Sequence, residues 1–314
     1  MTKFLAVLGH PITHSLSPVL HRAAYQSLGL DWTYDAIDVT DSQLASFIRE
    51  LDSDWVGLSL TMPLKQTVLE LLDERTATVV ATGAANTVVF DRTGDDVRLL
   101  GANTDVAGII VALGEADGPW LRRHEAIELA QVQFQTGEGI DLATDGRGHA
   151  PLPAVGDGPG LAVIIGAGAT AASALAALAR CGVTEVHVVV RSLARVAVTD
   201  AAARALGVSV QYHLRDDLDA LLRRAQVVVS TLPSRAADSY FLDRESVDIP
   251  EDAVLLDVAY EERPTVFGWV WQHSGGRYVS GERMLLHQAV EQVALFTGRR
   301  PDVAMMDQAL IAAL

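Results

Sequence analysis

Apolar positions fall from the outset into short aliphatic runs that alternate with amphipathic stretches. Phe4–Leu8 precedes Val19–Leu28, Trp32–Val39 precedes Ser42–Leu51, and Trp55–Leu60 precedes Leu64–Leu72, a rhythm that predicts βαβαβα. Asn86–Phe90 and Val97–Leu100 flank a Gly-containing turn at 91–96 and read as a hairpin, so the first sheet is expected to be mixed. A second series starts at Leu161–Ile165 and continues through Thr170–Arg180, Val183–Val190, Ala194–Leu206, Val208–Tyr212, Leu218–Arg224 and Gln226–Ser230 to Ala253–Val258. Two consecutive series predict an α/β chain of two lobes, with a cleft between them and ligands near the C-terminal ends of parallel strands.

Composition narrows the partners. The 314 residues, 49% hydrophobic and 20% charged, suit a globular protein of about two domains. With 24 bases against 40 acids the formal charge is −16, a field that repels nucleic acid and anionic membrane while leaving small anions open to aimed arginines or helix N-termini. Cys181 is the only cysteine, which excludes an internal disulfide framework and any multi-thiolate metal site and fits a reducing cytoplasm. The run Phe4–Gly9 is too short for a signal-peptide core and reads as a first strand. Leu161–Ala179 is uncharged and near spanning length, but a Gly-Ala bend divides it into strand and helix, so no membrane span is expected. Residues 115–160 carry eight Gly, eight acids and three Arg, and read as a solvated excursion. Its first third has an imperfect helical stripe at 120, 121, 127, 129 and 132.

Gly166-Ala167-Gly168-Ala169-Thr170-Ala171 fits G-x-G-x-x-G/A between a predicted strand and a predicted helix, and therefore reads as a dinucleotide turn. Gly166 allows the bend, Gly168 lets backbone N–H groups approach a pyrophosphate, and Ala171 permits close helix packing. After the second strand, where a carboxylate would hold both ribose hydroxyls of NAD, the chain has Arg191, Ser192 and Arg195, which match a 2′-phosphate and favour NADP. Ser230-Thr231-Leu232-Pro233 forms another loop bordering this site. The fold class is thus an N-terminal mixed-sheet substrate lobe, residues 1–104 plus 281–314, and a Rossmann-like dinucleotide-binding lobe, residues 105–280, that carries the excursion.

In the first lobe, hydroxyl, amide, lysine and aspartate side chains collect at strand ends and turns, as a site for a small polyhydroxylated acid requires without a metal. The segments Gly9-His10-Pro11-Ile12-Thr13-His14-Ser15-Leu16-Ser17-Pro18, Thr61-Met62-Pro63-Leu64-Lys65, Gly83-Ala84-Ala85-Asn86-Thr87 and Asn103-Thr104-Asp105 appear in the order and spacing of the shikimate dehydrogenase family, which the chain resembles. Gly166-Ala167-Gly168 and Met284-Leu285-Leu286-His287-Gln288 match as well, so the resemblance covers nearly everything outside 115–160.

The resemblance implies NADPH-dependent, reversible reduction of 3-dehydroshikimate to shikimate in aromatic amino-acid biosynthesis. It implies that Lys65 and Asp105 are the catalytic pair and that Ser15 and Ser17 bind the substrate carboxylate. Ser59, Thr61, Asn86, Tyr260 and Gln288 then hold the ring, and Val258, Gly281 and Met284 join the glycine turn and Thr231 in binding cofactor. An ammonium beside a ketone accepting hydride stabilises the developing oxyanion and delivers a proton, with a carboxylate orienting it. Ser59 stands where the family usually has Asn, and Val190-Arg191-Ser192 where it has Asn-Arg-Thr. A quinate or aminoshikimate dehydrogenase on the same scaffold, or a nucleotide-binding regulatory module without turnover, are the alternatives. The expected partners are small molecules alone, with the chain a monomer or homodimer. His10, His14 and His21 straddle Pro11 and Pro18 and share no helical face, so no metal site is expected; lone Cys181 reads as a small buried side chain.

Overall fold

The computed structural model describes residues 2–131 and 160–314, apart from positions 95, 120 and 184. The chain forms two compact units: one contains residues 2–104 and 285–314, the other 105–131 and 160–284. The division on the C-terminal side falls within the helix Gly281–Thr297, because Met284 in its first turn belongs to the apolar core of the second unit while Leu286 belongs to the first.

The first unit is built on six strands: β1 (Lys3–Gly9), β2 (Trp32–Asp38), β3 (Trp55–Leu60), β4 (Glu74–Arg75), β5 (Thr87–Asp91) and β6 (Arg98–Ala102). Their order is β2-β1-β3-β5-β6-β4, with β2-β1-β3 parallel and β3-β5-β6 antiparallel, so the sheet is mixed as the hairpin pattern predicts. Leu5, Val7 and Tyr34 pack beneath helices Ser17–Ser27, Gly281–Thr297 and Val303–Ala313 on one face, and Leu8, Leu58 and Val88 beneath Leu44 and Leu64 on the other. Alternation of core faces along β1 is the period-two signature read from the sequence.

The second unit has β7 (Leu161–Ile165), β8 (Glu185–Val190), β9 (Val210–Leu214), β10 (Val227–Ser230), β11 (Val254–Asp257) and β12 (Arg277–Ser280) in the order β12-β11-β10-β7-β8-β9. Every pairing is parallel, and the order reverses between β7 and β10, the switch point at which doubly wound sheets bind ligands. The four inner strands β7, β8, β10 and β11 are buried on both faces, which explains their Val-, Ile- and Leu-rich runs, whereas edge strands β9 and β12 are partly exposed.

Two sequence expectations change. The last strand of the βαβαβ half runs from Val210 to Leu214, not 208 to 212, because the preceding helix Ala197–Leu206 ends on Gly207 in the left-handed region (φ 67°) and the chain needs two further residues to enter the sheet. The stretch after 115 is not all solvated excursion: helix Arg123–Gln131 buries Ala126, Leu129 and Ala130 in the core of the second unit against helix Asp105–Glu115. Its buried face is 126, 129 and 130 with Leu121, whereas Ile127 is exposed. The rest of the predicted excursion, 132–159, lies outside the described residues. No helix among the described residues is long and apolar enough to cross a membrane.

Candidate active site

In the first unit, register places the site residues at one end of the sheet. Leu8 lies beside Leu60, Ser59 opposite Thr87, and Thr87 opposite Ala102, so Gly9, Thr61, Asn86 and Asn103 all emerge at that end. Main-chain bonds tie the emerging loops together: Thr61 N–H donates to Leu8 O (2.9 Å), His10 N–H to Met62 O (3.0 Å), Leu60 N–H to Asn86 O (2.8 Å) and Ala85 N–H to Lys65 O (2.8 Å). Gly9 is required sterically, since a Cβ there would sit 2.4 Å from Thr61 Cγ2 and 2.9 Å from Met62 O.

Lys65, half-buried, is the second residue of the short helix Leu64–Thr67 that follows Pro63. Asp105 is buried as the first residue of helix Asp105–Glu115, directly after Thr104. Ser15 Oγ accepts from Ser17 N–H (3.3 Å), Pro18 has no N–H, and Val19 and Leu20 N–H donate to Leu16 O (3.1 and 3.3 Å), so recognition of an anion at this helix start falls to the two serine hydroxyls.

Asn86 is the node of the first unit. Its Oδ1 accepts from Thr104 N–H (2.9 Å) and from Thr87 Oγ1 (2.8 Å), and its Nδ2 donates to Thr104 Oγ1 (2.8 Å) and Gln288 Oε1 (3.2 Å). Gln288 Nε2 donates to Leu285 O (2.9 Å), which holds the side chain along its own helix. Structure therefore brings Asn86 and Gln288 together, and the Lys65 main chain reaches Ala85 beside them. Ser59 is placed differently from the sequence expectation. It is 3% exposed and its hydroxyl proton goes to Gln292 Oε1 (3.0 Å), because β3 directs it into the sheet interior rather than toward the open end.

In the second unit, residues that follow strand ends converge in the same way. Gly166 leaves β7 at φ 113°, a region that favours glycine, and a Cβ there would lie 2.4 Å from Thr231 Oγ1. Thr231, after β10, donates its hydroxyl to Ile165 O (3.0 Å). Val258, after β11, donates its N–H to Ser230 O (3.0 Å), and a Cβ on Gly281 would fall 2.1 Å from Val258 O. Ala167 stays with this turn, while Met284 is 7% exposed and packs in the core.

These residues fit a dinucleotide. No atom lies within 4 Å of a Cβ built on Gly168, and helix Ala169–Arg180, which begins with Ala169 and Thr170, has neither a side-chain cap nor an acid in its first turn. Its leading N–H groups are thus open to a diphosphate. Past β8, Arg191 and Arg195 are exposed and, among the described residues, in no ion pair; Ser192 Oγ accepts from Ala194 N–H (3.3 Å) and shapes the turn between them. Tyr260 is half-buried in the loop after β11, and burial raises its phenol pKa.

Sequence reasoning missed Asp257, which holds that loop. Its carboxylate accepts from Thr265 Oγ1 (2.7 Å) and Ala259 N–H (3.4 Å), with burial raising its pKa. Burial likewise lifts the Cys181 thiol to about 12, so it is an inert core group. Among the described residues no group of three or more His, Cys, Asp or Glu is arranged to hold a metal ion.

Comparison with known proteins adds the family. Residues 7–88 match the family model for the shikimate dehydrogenase substrate binding domain, 160–260 that for shikimate / quinate 5-dehydrogenase, and 281–311 that for the shikimate 5'-dehydrogenase C-terminal domain. The shikimate dehydrogenase (NADP(+)) of Methanothermobacter thermautotrophicus is 30% identical, covering 98% of this chain and 96% of that one. The crystal structure of Mycobacterium tuberculosis shikimate dehydrogenase superposes with a TM-score of 0.76 at 34% identity, over 99% of this chain and 100% of that one. That of Thermus thermophilus shikimate 5-dehydrogenase, in complex with NADP(H) and shikimate, does so with a TM-score of 0.74 at 28% identity over 99% and 100%. With full-length similarity added to a glycine turn, an open helix start and an Asn86-centred polar end, the chain belongs to the shikimate dehydrogenase family.

Proposed function

We propose that the chain is an NADP-dependent oxidoreductase that reversibly reduces the ring ketone of 3-dehydroshikimate to shikimate, the step its family serves in aromatic amino-acid biosynthesis. The observation that carries this reading is the Asn86 node: one buried amide holds Thr104 and Gln288, with the Lys65 main chain on its neighbour Ala85. That supports reading this end of the sheet as a place where ring-hydroxyl ligands and Lys65 come together.

Ser15 and Ser17 take the substrate carboxylate by hydroxyl donation at the start of helix Ser17–Ser27. Asn86, Thr61, Gln288 and Tyr260 hold the hydroxyls, so the ring is oriented before reaction. When bound, NADPH would supply the hydride equivalent for the ring carbonyl carbon. As the C–O π pair moves to oxygen, the Lys65 ammonium stabilises that charge and passes its Nζ proton to it; in the reverse direction neutral Nζ takes the proton from the hydroxyl. The family resemblance gives Asp105 the part of the carboxylate that orients this ammonium. Gly166, Gly168, Ala169, Thr170 and Thr231 bind the diphosphate, and Arg191, Ser192 and Arg195 the 2′-phosphate, which an NAD site would not need. The same chemistry needs neither nucleic acid nor a membrane, and a cytoplasmic setting supplies both substrate and reduced cofactor.

Purified protein with 3-dehydroshikimate is expected to consume NADPH and, with shikimate, to reduce NADP, with NADPH preferred over NADH. Turnover of quinate but not shikimate would reassign the substrate. Cofactor binding without any turnover would make the chain a regulatory nucleotide-binding module.

A further inference from the structure

Gln292 lies one helical turn beyond Gln288 and is 1% exposed. Every hydrogen-bonding position of its amide is used. Oε1 accepts from Ser59 Oγ (3.0 Å) and faces His21 Nε2 (3.2 Å); Nε2 donates to Asn86 O (3.0 Å) and Thr87 Oγ1 (3.0 Å). An amide oxygen can only accept, so His21 carries its proton on Nε2, and its Nδ1 accepts from Tyr25 OH (3.2 Å).

The direction then propagates. Thr87 Oγ1, receiving one N–H, gives its single proton to Asn86 Oδ1 (2.8 Å), and the NH2 of Asn86 is left pointing to the other side, toward Gln288. The one-way chain Tyr25–His21–Gln292–Thr87–Asn86 starts on the helix Ser17–Ser27, whose first residue serves the carboxylate end of the substrate, and finishes at the hydroxyl end. We infer that Gln292, braced by Ser59 and His21, is a positioning residue that acts with the Thr104 N–H on Asn86 Oδ1 to fix which face of the Asn86 amide meets the substrate ring and thereby sets substrate affinity. This rests on the reading of Asn86 as a ring-hydroxyl ligand. It also gives Ser59 a role: its proton braces the amide that supports Asn86 from behind.

The test is steady-state kinetics with 3-dehydroshikimate and NADPH on wild type, Gln292→Met, Thr87→Val, Thr87→Ser and the Gln292→Met/Thr87→Val pair. Gln292→Met and Thr87→Val are each expected to raise KM for 3-dehydroshikimate about tenfold, the effect of weakening one hydrogen bond from Asn86 to the substrate, with KM for NADPH unchanged. Thr87→Ser, which keeps the hydroxyl, is expected to match wild type, and the double variant to be no worse than the worse single one, because both break the same chain. A purely structural role would lower thermal stability without moving the substrate KM relative to that for NADPH, and would overturn the inference. So would additive single effects, or a folded Gln292→Met protein with wild-type substrate KM. If Gln292→Met does not fold, the contrast between Thr87→Val and Thr87→Ser decides alone. Wild-type protein inactive on 3-dehydroshikimate would overturn the functional reading together with this one, whereas active wild type with unaffected variants overturns only this one.

Discussion

His21 offers a quantitative check on the buried polar chain. It is fully buried, stacked on Tyr34 (3.9 Å between centroids), and burial lowers its pKa to about 3 from 6.5, only partly opposed by the hydrogen bond with Gln292. Folded protein therefore refuses a proton that the unfolded chain accepts below pH 6.5. The unfolded state binds more protons between the two pKa values, so stability falls as the pH drops through about 6.5 and goes on falling until the folded group titrates near 3. At about 1.4 kcal/mol per pH unit, His21 removes about 2 kcal/mol between pH 7.5 and pH 5. His21→Gln keeps a polar side chain but cannot titrate. Urea unfolding followed by tryptophan fluorescence, at both pH values, should show the wild type losing about 2 kcal/mol more than the variant over that interval. An identical pH dependence in the two proteins would refute the burial of a neutral imidazole.

Other perturbations read separate parts of the account. Arg191→Ala should raise KM for NADPH about tenfold while leaving KM for NADH nearly unchanged, and equal effects on both would remove Arg191 from the 2′-phosphate site. Leu129→Ala should destabilise the protein by about 2–5 kcal/mol in thermal or chemical unfolding, as for a core leucine; a loss below about 0.5 kcal/mol would place helix Arg123–Gln131 outside the core.

Strand and helix rhythm was legible because the inner strands of both sheets, such as β1, β7 and β10, are buried. The glycine turn was legible for a similar reason: Gly166 occupies a backbone region other residues avoid, and its spacing to Gly168 is short and local. Helix Arg123–Gln131 was obscured by its neighbourhood. The Gly- and acid-rich composition that follows it outweighed a buried face of only Ala126, Leu129 and Ala130, two of which are too small to signal a core. Ser59 and Gln292 were opaque for a different cause. Their partners are 233 residues apart in the chain, and a glutamine on a helix reads as surface until a sheet is laid over it. A usable signal existed: His287, Gln288, Glu291 and Gln292 put polar groups on the buried side of the helix, and each needs a partner there. Glu291 finds Arg300 (3.1 Å).

The assignment of Lys65 as proton donor is reached most directly by comparing Lys65→Ala with wild type in single-turnover reduction of 3-dehydroshikimate, alongside shikimate binding by calorimetry. Loss of the group that neutralises the forming alkoxide is expected to slow the chemical step about a thousandfold while the binding constant for shikimate changes less than about tenfold. A single-turnover rate within about twofold of wild type would contradict the account.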